Sequence, residues 1–126
     1  MTSRRLLVCD DEPDIRTFIR DVAEGMGYAV EEVADARDCA ARAAATLPDV
    51  IVLDIVMPEV DGIEIIQRLA DSRFAGRVLL ISGFNPSYAR AASVLARSKG
   101  IVDIRMLTKP LPLAELRAAL AGTSSP

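Results

Sequence analysis

Apolar and polar positions alternate between two periods along the chain, and the switches between them outline its elements. Arg5 to Cys9 reads as a short buried strand. Pro13 then suits a first helical turn, and Ile15, Phe18, Ile19, Val22 and Met26 recur at the spacing of one buried helix face, which Gly27 is placed to end. "YAVEEV", Tyr28 to Val33, predicts a second strand whose polar half suits a sheet edge. Asp35 is a candidate cap for a helix with Ala36, Cys39, Ala40, Ala43 and Leu47 inward, which Pro48 ends. "VIVLD", Val50 to Asp54, is apolar until its last residue and predicts a central strand covered on both faces. A third helix follows with Ile63, Ile66, Leu69 and Ala70, then a strand over Arg77 to Ser82. Asn85 and Pro86 open a fourth helix running to about Ser98, with Tyr88, Ala91, Ala92 and Leu95 inward and Gly100 closing it. "DIRML" is the fifth strand, and "LPLAELRAAL" the fifth helix, with Leu113, Leu116 and Leu120 on one face. Five such units imply a parallel sheet with helices on both faces.

Length and composition narrow the function. A chain of 126 residues suits one domain, and 51% hydrophobic with 26% charged residues is the balance of a globular fold. The longest apolar run, Val50 to Leu53, is far too short to cross a bilayer, and "MTSRR" leads straight into a strand with no signal-peptide core. A cytoplasmic protein is expected, with Cys9 and Cys39 as two buried reduced thiols. The net charge of -3 argues against direct nucleic-acid binding. The absence of histidine removes Ser-His-Asp and Cys-His catalysis and every histidine-based metal site.

The strand ends carry the chemistry. In an open parallel sheet, ligands sit beyond the carboxyl ends of the strands. Here the first strand ends in Asp10 and Asp11, the third in Asp54, the fourth in Ser82 and Gly83, and the fifth reaches Thr108, Lys109 and Pro110. Taken singly, an acidic pair is a solvated turn, and one terminal Asp is a cap. Jointly, clustered carboxylates become favourable when a hard divalent cation shares them, and oxygen ligands suit Mg²⁺. With Mg²⁺ and Lys109 present, Asp54 stays ionised and can attack an electrophile. A phosphoryl group arriving there would meet the cation, the ammonium and the Ser82 hydroxyl.

Four segments, "LLVCDDEP", "DVIVLDIVMPEVDGIEII", "VLLISG" and "LTKPL", give the chain a strong resemblance to the receiver domain of bacterial two-component response regulators, over about Arg4 to Leu120. The resemblance implies a flavodoxin-like, doubly wound five-stranded parallel sheet of order 2-1-3-4-5 with five helices. Residues 1–121 would form the receiver, and 122–126 a flexible tail or the start of a linker. It implies that Asp54 is the phospho-acceptor, that Asp11 binds Mg²⁺ directly and Asp10 largely through water, and that the backbone carbonyl of Val56 is a further ligand. Ser82 would engage the phosphoryl group, Lys109 would pair with it, and the Lys109–Pro110 bond would be cis. The donor would be a histidine kinase or histidine phosphotransfer protein. The output would be a domain or protein read through the fourth helix, fifth strand and fifth helix, with homodimer formation on phosphorylation as one option. No membrane partner is expected, and no enzyme beyond self-catalysed phosphoryl transfer and autodephosphorylation.

Two departures accompany the likeness. Met106 stands three positions before the lysine, where most receivers carry an aromatic residue, and the interval from Ser82 to Lys109 is several residues longer than usual. Arg90, Arg97 and Lys99 could form a basic strip on the fourth helix, read here as a solvated face. The resemblance implies that Val56 and Phe84 occupy the positions that modulate phospho-aspartate lifetime, and two apolar side chains there predict slow hydrolysis. A haloacid-dehalogenase-like phosphatase would need an acid where Val56 stands, and a flavodoxin-like carrier a phosphate-binding loop where "DDEPD" stands. Two alternatives remain: an unphosphorylated receiver-like scaffold, and a receiver cut from a larger regulator such as a cyclic-di-GMP phosphodiesterase.

Overall fold

A computed structural model describes residues 4–57, 60–83 and 86–121. The expectations placed on Asn85, Phe84 and the tail from 122 to 126 lie outside the described residues. The elements are β1 (Arg4–Cys9), α1 (Pro13–Gly25), β2 (Tyr28–Val33), a 3-10 turn (Ala36–Asp38), α2 (Cys39–Thr46), β3 (Val50–Asp54), α3 (Gly62–Asp71), β4 (Arg77–Ser82), α4 (Pro86–Ser98), β5 (Ile104–Thr108) and α5 (Leu113–Ala121). All the strands of the central sheet are parallel, in the order β2-β1-β3-β4-β5. A two-residue antiparallel ladder pairs Val56 with Asp61 and Met57 with Val60 between β3 and α3.

The period-2 alternation of the inner strands divides the core in two. Leu7, Cys9, Ile51, Leu53 and Leu80 face α2, α3 and α4. Leu6, Val8, Val52, Leu79 and Ile81 face α1 and α5. β3 is buried at every position, as expected for a central strand. Gly62 opens α3 against the end of β3. A Cβ there would lie 2.8 Å from Ile55 Cβ and 2.9 Å from its backbone, so only glycine lets the helix start this close to the strand. The C-terminal turn of α5 is pinned by two buried donors. Arg77 donates to the Ala119 carbonyl at 2.7 Å and Tyr28 Oη to the Leu120 carbonyl at 2.6 Å. Arg77 also forks onto both oxygens of Asp103 at 3.0 Å.

Four local expectations are corrected. Asp35 caps the 3-10 turn through the Arg37 N–H at 2.9 Å, and α2 starts only at Cys39. Leu47 is not on the inner face. It ends α2 in the left-handed region at φ 49°, which swings its side chain 77% into solvent before Pro48 re-enters the sheet. On α4 the buried stripe is Ala89, Ala92 and Ala96, with Ala91 exposed and Tyr88 and Leu95 half-buried. On α5, Leu116 and Leu120 are buried and Leu113 is exposed.

Candidate phosphoryl-transfer site

Three strand ends deliver their polar residues to one edge of the sheet. Asp10 follows β1, Asp54 ends β3 and Ser82 ends β4, and all three are buried. Lys109 follows β5 across a cis bond to Pro110, and its backbone N–H donates to the Ser82 carbonyl at 2.9 Å. Its ammonium lies 2.9 Å from Asp54 Oδ2, 2.6 Å from Glu12 Oε1 and 3.4 Å from Asp10 Oδ2. Of the residues singled out in the sequence, the side chains of Asp10, Asp54 and Lys109 meet, and Ser82 ends the strand next to that of Asp54.

Asp11 is exposed on the rim, and Asp10, Asp11, Glu12 and Asp54 each bring a carboxylate oxygen within 4.8 Å of the others. Val56 lies two residues past Asp54 in the chain and heads the short ladder. Glu12 is the member that the sequence did not single out. It is the N-cap residue of α1, and its link to Lys109 spans 97 positions of sequence, so only the fold brings them together.

The electrostatics follow from this crowding. Burial pushes the Asp10 carboxyl up to about 6, the Glu12 N–H bond at 2.9 Å works against that, the charge of Asp54 adds to it, and Lys109 opposes it. For Lys109, burial disfavours the charged form. The hydrogen bonds to Glu12 and Asp54 outweigh burial, and its pKa lies above the ordinary lysine value. Three carboxylates, of Asp10, Glu12 and Asp54, thus share one ammonium, with Asp11 beside them, since the nearby Arg16 is spent on the Asp10 carbonyl and on Glu32. Asp10 Oδ2 and Ser82 Oγ are buried without a hydrogen-bond partner, the Lys109 ammonium standing off at 3.4 Å from Asp10 Oδ2. A surplus of hard oxygen donors with one orphaned carboxylate oxygen fits a divalent cation such as Mg²⁺, and the orphaned hydroxyl fits an oxyanion beside it. A surface cavity of about 420 Å³ lies at the opposite end of the sheet around Leu47, Phe74 and Asp103 and does not touch this cluster.

Comparison with known proteins agrees with the geometry. The family described as "Response regulator receiver domain" matches residues 6–121. The chain belongs to that family. This receiver is 33% identical over 118 residues to the transcriptional regulatory protein TrcR of Mycobacterium tuberculosis, covering 94% of this chain and 44% of that protein. It is 30% identical over 116 residues to the alkaline phosphatase synthesis transcriptional regulatory protein PhoP of Bacillus subtilis, covering 92% and 46%. The receiver thus spans less than half the length of these two relatives. Among solved structures, a response regulator from Colwellia psychrerythraea superposes with a TM-score of 0.81 at 29% identity, covering 95% of each chain. The chemotaxis protein CheY4 of Vibrio cholerae gives 0.78 at 25%, covering 97% and 99%. The flavodoxin-like fold of order 2-1-3-4-5 and the role as a two-component receiver are as the sequence led one to expect. One relative, a protein-glutamate methylesterase of Myxococcus xanthus, is an enzyme of which this chain covers 32%. No described helix is long and apolar enough to cross a membrane.

Proposed function

We propose that Asp54 is the phospho-acceptor of this receiver. The observation that carries the reading is the Lys109 ammonium, 2.9 Å from Asp54 Oδ2, with the unpartnered Ser82 hydroxyl at the end of the neighbouring strand. One Asp54 oxygen attacks the phosphorus of a phospho-histidine or a small acyl phosphate. A P–O bond to Asp54 forms, and the bond to the leaving group breaks with its electron pair. Lys109 and Ser82 would meet the equatorial oxygens, where charge gathers in the transition state. Asp10, Asp11, Asp54 and the Val56 carbonyl are the residues we assign to Mg²⁺, which would supply charge neutralisation when bound; Asp11 would be a direct ligand and Asp10 would act through water. Glu12 holds Lys109 in the meantime and must yield it as the phosphoryl group arrives.

The donor is a histidine kinase or phosphotransfer protein in the cytoplasm, and phosphorylation changes the surface offered to an output domain or protein. The test is incubation with acetyl phosphate and Mg²⁺, read by intact mass. Wild type should gain one phosphoryl group, while EDTA or Asp54→Asn should abolish the gain. A full adduct on folded Asp54→Asn would overturn the assignment.

A further inference from the structure

Two bulky residues hold the backbone in the left-handed region that favours glycine, Leu47 at φ 49° and Arg73 at φ 61°. Each stands at a helix end. Leu47 closes α2. Beyond α3, the Arg73 N–H donates to the Ala70 carbonyl at 3.0 Å and the Phe74 N–H to the Leu69 carbonyl at 3.1 Å, the paired bonds of a helix end that usually places glycine in the left-handed position. α4 ends in the same pair of bonds, and there that position is Gly100 at φ 105°. Leu47 and Arg73 thus sit at a backbone cost that glycine would not incur.

Both residues line one cavity, the cleft of about 420 Å³ at the edge of the sheet away from Asp54. Leu47, Phe74, Ala43 and Ala44 give it apolar wall. Its charged residues are Asp49, Arg73, Arg77 and Asp103. Arg77 forks onto Asp103, so those two satisfy each other. The other two do not. The Arg73 guanidinium has no hydrogen bond or ion pair among the described residues. Asp49 spends Oδ2 on the Arg5 backbone N–H at 2.8 Å, and its Oδ1 has no partner among the described residues. One cavity therefore combines an apolar wall, an unpaired cation and a half-used carboxylate.

We propose that this cavity binds a small apolar amino acid, with its carboxylate on Arg73, its ammonium on Asp49 and its side chain against Leu47 and Phe74. A zwitterion supplies both charges that the lining lacks. A plain carboxylate would leave Asp49 beside a like charge, and a plain amine would do the same to Arg73. The volume is that of a small-molecule site and falls well short of a partner-protein interface. Strained backbone held at such a cleft is the pattern of a ligand clamp. A cation at a helix C-terminus also offsets the dipole of α3, which accounts for Arg73 alone and leaves Leu47 and Asp49 unexplained. The proposal does not depend on the role of Asp54.

The experiment is a ¹H–¹⁵N NMR titration of the full chain with L-phenylalanine and L-leucine. Three controls each lack one feature: 3-phenylpropionate the ammonium, phenethylamine the carboxylate, and free glycine the apolar side chain. At least one of the two amino acids should shift the amides of Leu47, Asp49, Arg73 and Gly76 saturably, and bind at least about tenfold more tightly than every control. Arg73→Gly should weaken that binding at least about tenfold without lowering the urea midpoint, because glycine takes the left-handed region freely. Asp49→Asn keeps an acceptor for the Arg5 N–H and removes the charge, so it should abolish the preference for phenylalanine over 3-phenylpropionate. No saturable shift with either amino acid, a control that binds as tightly, unchanged binding to Arg73→Gly, or a preference that survives Asp49→Asn would each overturn the proposal.

Discussion

Asp10 shows how a single buried charge sets the behaviour of the site. Its carboxyl titrates near 6 in the folded chain, above the 3.8 of an unperturbed aspartate. Between those values the folded chain holds a proton that the unfolded chain has released, so metal-free stability falls as pH rises through that window. Above it, the full cost of ionised Asp10 is present. Asp10→Asn should therefore be more stable than wild type in EDTA at pH 8, by about 1–2 kcal/mol, with the gap closing towards pH 4. Urea unfolding at both pH values measures this. A variant less stable than wild type at pH 8 would mean that the carboxylates do not strain the fold. In Mg²⁺ the ranking should reverse, because the cation uses the charge that the variant lacks.

At the scale of elements, two contacts position the site from a distance. Gly62→Ala drives a methyl into Ile55 and the end of β3, and should cost about 1–3 kcal/mol while slowing Asp54 labelling. Tyr28→Phe removes one buried hydrogen bond to α5 and should cost about 1 kcal/mol with labelling unchanged. Urea titration with acetyl phosphate labelling separates the two; an unshifted Gly62→Ala midpoint would refute the close approach.

These elements also show what the sequence could carry. β2, β3 and β4 were legible to the residue, since β-branched and leucine-rich runs bounded by turn residues have few other uses. The burying face of α4 was not. Its inward and outward positions are both alanine-rich, so the pattern lacks the contrast that marks a stripe, and the expected face was rotated by one residue at Ala91. Leu47 misled because helical spacing does not reveal a left-handed terminus. The strand-end residues Asp10, Asp54, Ser82 and Lys109 were legible because topology alone gathers strand ends. The Glu12–Lys109 contact was not, because it depends on side-chain reach across the site.

The whole molecule joins two opposed charge regions. The strand ends gather carboxylates around one ammonium, and the β5 edge presents arginines without acids. β5 belongs to both, since Lys109 follows its last residue while Arg105 and Met106 lie exposed within it. On the proposed function, a shift of Lys109 from Glu12 toward a phosphoryl group on Asp54 would act at the end of the same strand that carries Arg105 and Met106. Met106 stands where an aromatic switch residue is usual; being exposed and unbranched, it can reorient with little steric cost.

The most direct measurement of this account is a ¹H–¹⁵N NMR titration of wild type and Asp54→Asn with Mg²⁺ and beryllium fluoride, a mimic of the phosphoryl group. Wild type should shift at Asp54, Ser82, Lys109 and Glu12, and also along β5 and α4. Asp54→Asn should show only metal-dependent changes around Asp10 and Asp11. Wild-type shifts reproduced in full by Asp54→Asn, or shifts that stop at the site and leave β5 and α4 unmoved, would contradict it.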